Sequence, residues 1–140
     1  MSVKSFCLMV ASGYLFTVAA VAATPAPAGA RVYIIAPTDG ETVSSPVTVT
    51  FGLEGMGVAP AGVEKANTGH HHLLIDLAGE PALDRPLPAD ANHRHFGGGQ
   101  TQATVELTPG SHTLQLIMGD HNHVPHQPPV MSEKITVTVR

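Results

Sequence analysis

The chain has 140 residues, enough for one domain of ordinary size, with 7 Lys and Arg against 11 Asp and Glu. Its net charge of −4, counted with all 9 histidines neutral, argues against nucleic acid or an anionic membrane surface as partner. The single cysteine, Cys7, lies in the N-terminal apolar run, so loss of that run excludes disulfides, thiolate zinc sites and cysteine nucleophiles.

The first residues read as a leader. "MSVK" is a short positive start, "SFCLMVASGYLFTVAAVAA" is apolar and uncharged, and Val21-Ala22-Ala23 offers the small residues a signal peptidase reads. Residues 1–23 are therefore expected to be a signal peptide and 24–30 a linker, with residues 31–140 forming one domain. A second cut site follows Ala28-Gly29-Ala30. The rival reading is a membrane anchor, because the run approaches the roughly 18–20 residues that span a bilayer. Its alanine-rich end and the following "TPAPAGA" favour cleavage, and no lipobox precedes Cys7. An alanine-rich leader of this length indicates a bacterial periplasmic or secreted protein with no membrane attachment after cleavage. Cleavage also removes Lys4 and makes the domain one unit more negative.

From Arg31 onward the pattern is short β-branched or alternating runs separated by Pro, Gly, Asp and Asn. "RVYIIAP" reads as a first strand, and "PTDGETVSSP" as the turn-rich link after it. In "PVTVTFGLEG", Val47, Val49 and Phe51 alternate with Thr48, Thr50 and Gly52, which fits a half-buried strand. "HHHLLIDL", "QTQATVEL", "SHTLQLIMGD" and "SEKITVTVR" supply four more, and the interval 78–99 is a long Pro/Gly-rich loop with room for one short edge strand. No stretch has a helical period. About seven short strands with turn signals between them predict an all-β, immunoglobulin-like antiparallel β-sandwich. "APTDGETVSSPVTV" suits the link between its first two strands, and "LTPGSHTLQLIMGD" a corner feeding an inward-facing strand. The antibody-type Cys…Trp…Cys pattern is absent.

Three stretches, "GHHHLLID", "HRHFGGGQTQATVELTPGSHTLQLIMGDHNHVPH" and "PPVMSEKITVTV", together resemble a family of exported bacterial proteins known as domain of unknown function 4399. The resemblance covers nearly all of the domain. It implies export and a single domain, and carries no established activity.

Three segments contain a His-x-His pair: His70/His72, His93/His95 and His121/His123. In a strand, residues i and i+2 share a face about 6.5–7 Å apart. With the runs assigned to sandwich strands in order, the start of "HHHLLIDL", the approach to "QTQATVEL" and the loop after "SHTLQLIMGD" fall at one pole. These six histidines are the expected metal ligands, with His126, Asp120 and Met118 as weaker candidates. Asp76 is a further carboxylate, and Met118 and Met131 are thioethers that would favour Cu⁺. His112 should lie at the opposite pole. His71 should follow the core face with Leu73, Ile75 and Leu77, away from His70 and His72, and is expected to be structural.

Converging neutral imidazoles suit a copper or zinc ion. The expected function is a periplasmic metal-binding module, a copper or zinc carrier or buffer whose partners are the ion and an envelope protein. Two readings without metal compete: imidazoles that hydrogen-bond the long loops, and a surface that charges below about pH 6.5. Either would suit a non-catalytic interaction or structural domain of the cell envelope. A metal-dependent enzyme ranks last and no catalytic residue is assigned. There is no H-E-x-x-H spacing, Ser111 and His112 point to opposite strand faces, and "HFGGGQ" lacks the Lys and following helix of a phosphate loop.

Overall fold

The structure, a computed structural model, describes residues 22–140; the expected leader lies outside the described residues but for its last two. Nine strands follow in order: β1 Arg31–Ala36, β2 Thr42–Val43, β3 Val47–Glu54, β4 Gly57–Val58, β5 Thr68–Ile75, β6 His93–His95, β7 Gln102–Val105, β8 Gly110–Gly119 and β9 Ile135–Val139. All six long runs expected from the sequence are strands, and the short edge strand of the long loop is β6. The two-residue β2 and β4 were not expected, since two residues leave no periodicity to read.

The strands form two sheets, one ordered β1-β3-β7 and the other β2-β9-β8-β5-β4, with β6 also paired to β5. All pairs are antiparallel except β2–β9 and β4–β5. This is the layout of an immunoglobulin-like sandwich, with the first, second and fourth long strands facing the third, fifth and last. Between the sheets lie Val32, Val49, Phe51, Leu73, Ile75, Leu114, Leu116, Met118 and Val137, all buried. The alternation of β3 and β9 follows from having one face on this core and one in water.

The central strands β5 and β8 differ. From Gly69 to Ile75, and from Leu114 to Gly119, every residue is buried. Their second face is covered as well. Leu74 and Ile117 point away from the main core and pack with Leu87, Leu77 and Met131 from the flanking loops. A strand buried on both faces needs no polar alternation. Hence "HHHLLI" reads as a solid run, and its histidines can be interior on either face. His71 takes the inner face, fully buried against the Phe51 ring at 5.0 Å. His70 and His72 take the outer face, as strand phase requires.

Residues 24–30, read as a linker, are laid against the domain. Ala26 donates to the Gln127 carbonyl, Gln127 donates to that of Thr24, and Ala26 and Ala30 pack on the core. At the far end, His112 Nδ1 meets Asp76 Oδ2 at 2.7 Å and Nε2 donates to the Thr108 carbonyl. That end is away from the other histidines, as expected.

Candidate metal centre

Four rings converge on the outer face of the six-stranded sheet: His70 and His72 of β5, His95 of β6 and His123 of the loop after β8. One ring nitrogen from each lies within 4.8 Å of the other three. The centroids of the six ring pairs are 4.6–5.8 Å apart. His95 stands directly opposite His72 in the β5–β6 register, and His70 opposite Gly119 in the β5–β8 register. The loop carrying His123 then folds back over the strand end.

His70 Nε2 is the hub, 3.0 Å from His72 Nε2 and 3.1 Å from His123 Nδ1. A neutral imidazole has one N–H and one lone pair. One nitrogen facing two others cannot give both a good hydrogen bond, whereas a cation satisfies several lone pairs at once. Zinc–nitrogen bonds of about 2.0–2.1 Å place the nitrogens of a tetrahedral site about 3.3–3.4 Å apart, within a few tenths of these contacts.

The electrostatics favour the neutral form of His70, His72 and His95. Burial, reinforced by His70, His95 and His123, lowers the pKa of His72 to about 3. Burial and then His123 and His95 lower that of His70 to about 4, with Asp120 opposing. His95 is lowered by burial and by His123. Deprotonated rings are the form that binds a metal ion. His70 and His72 are fully buried, while His95 is exposed and His123 half-buried, so the group is reachable from one side.

The remaining expected ligands fall elsewhere, and two His-x-His pairs are split. His93 shares a face with His95, but its Nδ1 is held by Asp90 Oδ1 at 2.8 Å. His121 and His123 lie in a turn, where the two-residue period of a strand does not apply; His121 Nε2 instead contacts the Asn122 amide at 2.9 Å. His126 is fully buried and its Nε2 donates to the Thr68 carbonyl at 3.1 Å, anchoring the loop to β5. Met118 has the opposite strand phase and belongs to the main core. The histidines also gather on a sheet face near its end, not on the pole formed by the loops. The reason is that β6 lies flat beside β5 as an edge strand.

Asp120 is a positioning residue. Its Oδ1 accepts from the amides of Asn122 and Val124, and its Oδ2 from Thr24 Oγ1 at 2.6 Å. Burial acts to raise its pKa, but these hydrogen bonds and His121 outweigh burial and lower it. The turn they define holds His123 at φ 65°, a left-handed conformation that histidine adopts more readily than most residues. Asp120→Ala is expected to lower stability by about 2 kcal/mol in urea melts, and to weaken metal binding, because hydrogen bonds to a charged group contribute roughly 1.5–3 kcal/mol. Unchanged metal affinity would show that the turn does not position His123.

Two glycines pack directly against the cluster: Gly97 of "HFGGGQ", whose pattern suits close packing beneath the histidines, and Gly119, which has no such signal of its own. A Cβ on Gly119 would lie 2.8 Å from His72 Nε2, and one on Gly97 would lie 2.3 Å from His95 Cε1. Both leave room for ligand rings. Gly119→Ala should push His72 off its position and weaken metal binding by at least about tenfold, the range seen when a ligand's support is lost. Calorimetric titration beside a thermal melt separates this from unfolding. The sequence signal for Gly119 was its place across a sheet from a histidine, visible only once the register is known.

Fold and site together define a class: an all-β sandwich domain with a surface-reachable cluster of four histidines that can hold a metal ion. The chain belongs to the family described as Domain of unknown function (DUF4399), whose model matches residues 49–140 and so includes every histidine. No curated protein and no solved structure matches it. No helix among the described residues is long and apolar enough to cross a membrane.

Proposed function

We propose that this domain is an exported metal-binding module of the bacterial cell envelope, a non-catalytic copper or zinc carrier or buffer. The observation that supports it is the convergence of His70, His72, His95 and His123, whose ring nitrogens lie within 4.8 Å of one another. Desolvating several imidazoles side by side, two of them fully buried, is costly unless something binds them together. An ion would enter past His95 and His123 and be held from behind by His70 and His72. Ligands from three segments, one side of them open to water, suit reversible loading better than permanent burial.

The test is metal analysis of untagged protein expressed in the periplasm, followed by Cu²⁺ and Zn²⁺ titration of the stripped form. One ion per chain is expected, with thermal stabilisation that rises with free ion; a hundredfold excess over Kd stabilises by about 2.7 kcal/mol. Neither binding nor a thermal shift at micromolar excess would overturn the proposal. The interaction-domain reading would then be pursued by pull-down with His121 and His123 changed to alanine.

A further inference from the structure

Resting on the metal-binding reading, we infer that the site takes copper in its divalent state, ahead of Zn²⁺ and to the exclusion of Cu⁺. The donor set carries the inference. The converging group consists of four imidazoles and contains no carboxylate. The nearest candidate, Asp120, has both oxygens engaged by Thr24, Asn122 and Val124, and Asp90 Oδ1 is engaged by His93. Sulfur is also kept away. Of the methionines among the described residues, Met56 and Met118 pack with the main core and Met131 packs beside Leu74 and Ile117. The only cysteine of the chain is Cys7, outside the described residues.

Each class of ion responds differently to such a set. Cu⁺ is soft and is selected by thiolate and thioether ligands, of which none joins the group. Mg²⁺, Ca²⁺ and Mn²⁺ want oxygen, and the oxygens nearby are engaged. Among divalent ions that accept imidazole, affinity at a given nitrogen site peaks at Cu²⁺ and falls at Zn²⁺. Zinc could overturn that order only through an enforced tetrahedron. Here two of the four ligands, on the edge strand β6 and in the loop after β8, keep solvent contact and can adjust.

Three titrations of the untagged, stripped protein test this. Cu²⁺ binding is followed by electron paramagnetic resonance, Zn²⁺ binding by calorimetry, and Cu⁺ binding anaerobically against bicinchoninate. The expected results are superhyperfine lines from several imidazole nitrogens, a Cu²⁺ dissociation constant at least about tenfold below that for Zn²⁺, and loss of Cu⁺ to the chelator. The His70→Ala/His72→Ala variant, checked for its β-sheet circular dichroism, should lose the nitrogen lines. Zinc binding tighter than copper, or Cu⁺ retained against the chelator, overturns the inference while leaving a metal-binding module. Failure of all three ions to bind overturns the underlying reading and this inference with it.

Discussion

His72→Ala is expected to reduce affinity for the bound ion by at least about a hundredfold while the apo domain stays folded. Loss of a group that merely orients a ligand costs about 10–100-fold, and loss of a ligand should cost more. His72 is central: its Nε2 touches His70 Nε2, its ring lies within 5.8 Å of three others, and it faces His95 across the β5–β6 pair. The fold should tolerate the change. His72 Nδ1 is buried with no hydrogen-bond partner among the described residues, so removing the ring removes an unpaired polar group along with its packing. Calorimetry gives the affinity and circular dichroism the fold. His93→Ala and His121→Ala are the controls, each expected to keep affinity within a few-fold. If either costs as much as His72→Ala, the ligand set is wrong.

The apo domain should lose stability steeply as the pH falls from 6.5 toward 4. Burial holds the pKa of His70 and His71 at about 4 and that of His72 at about 3, against 6.5 unfolded. For His71, the main chain of Gln100 offsets burial only in part. In this window the unfolded chain binds protons that the native rings refuse, so stability drops as the pH drops. The contribution is fully present above pH 6.5 and is lost as pH drops through the folded values. One uncoupled group contributes a slope of about 1.4 kcal/mol per pH unit; His70 and His72 titrate together, so their combined slope is the observable. His112 has the opposite sign. The hydrogen bond that its ring donates to the Asp76 carboxylate raises its pKa, so its contribution is present below 6.5 and lost as pH rises through the folded value. Urea melts of the apo protein at pH 7, 6 and 5 measure the effect. His71→Leu, which removes one core ring and no ligand, should flatten the slope. A stability that does not change between pH 7 and 4.5 would mean the buried rings charge as easily folded as unfolded.

Strand phase and order were readable from local pattern. Val47, Val49 and Phe51 on one side, and Leu73 and Ile75 against His70 and His72, follow from the two-residue period alone. That period also puts Met118 with Leu114 and Leu116 on the core face, away from the histidines. Other features depended on contacts distant in sequence. Which histidine of each pair turns to the site was decided by Asp90 capturing His93 and by Asp120 folding the 121–123 segment into a turn. "GDHNH" contains the Asp and Asn residues that mark such a turn. In such a turn the two-residue strand period does not apply to His121 and His123. The outer cover of Leu74 and Ile117, formed by Leu87 and Met131 from flanking loops, has no local signature, and neither has the pairing of β6 with β5 that puts the histidines on a sheet face.

His70 and His123 are 53 residues apart in the chain, and His95 lies between them. An ion shared by these rings is therefore a removable staple on a domain whose described residues include no cysteine. Closing a long stretch of chain in the unfolded state is what makes such a staple stabilising, and the gain grows slowly with the length enclosed. It would also pin the edge strand β6, and with it the Pro/Gly-rich stretch between Ile75 and His93, against the sheet. Loading would then make that stretch resistant to proteolysis, so that a timed digest would distinguish filled from empty molecules without any spectroscopy of the ion.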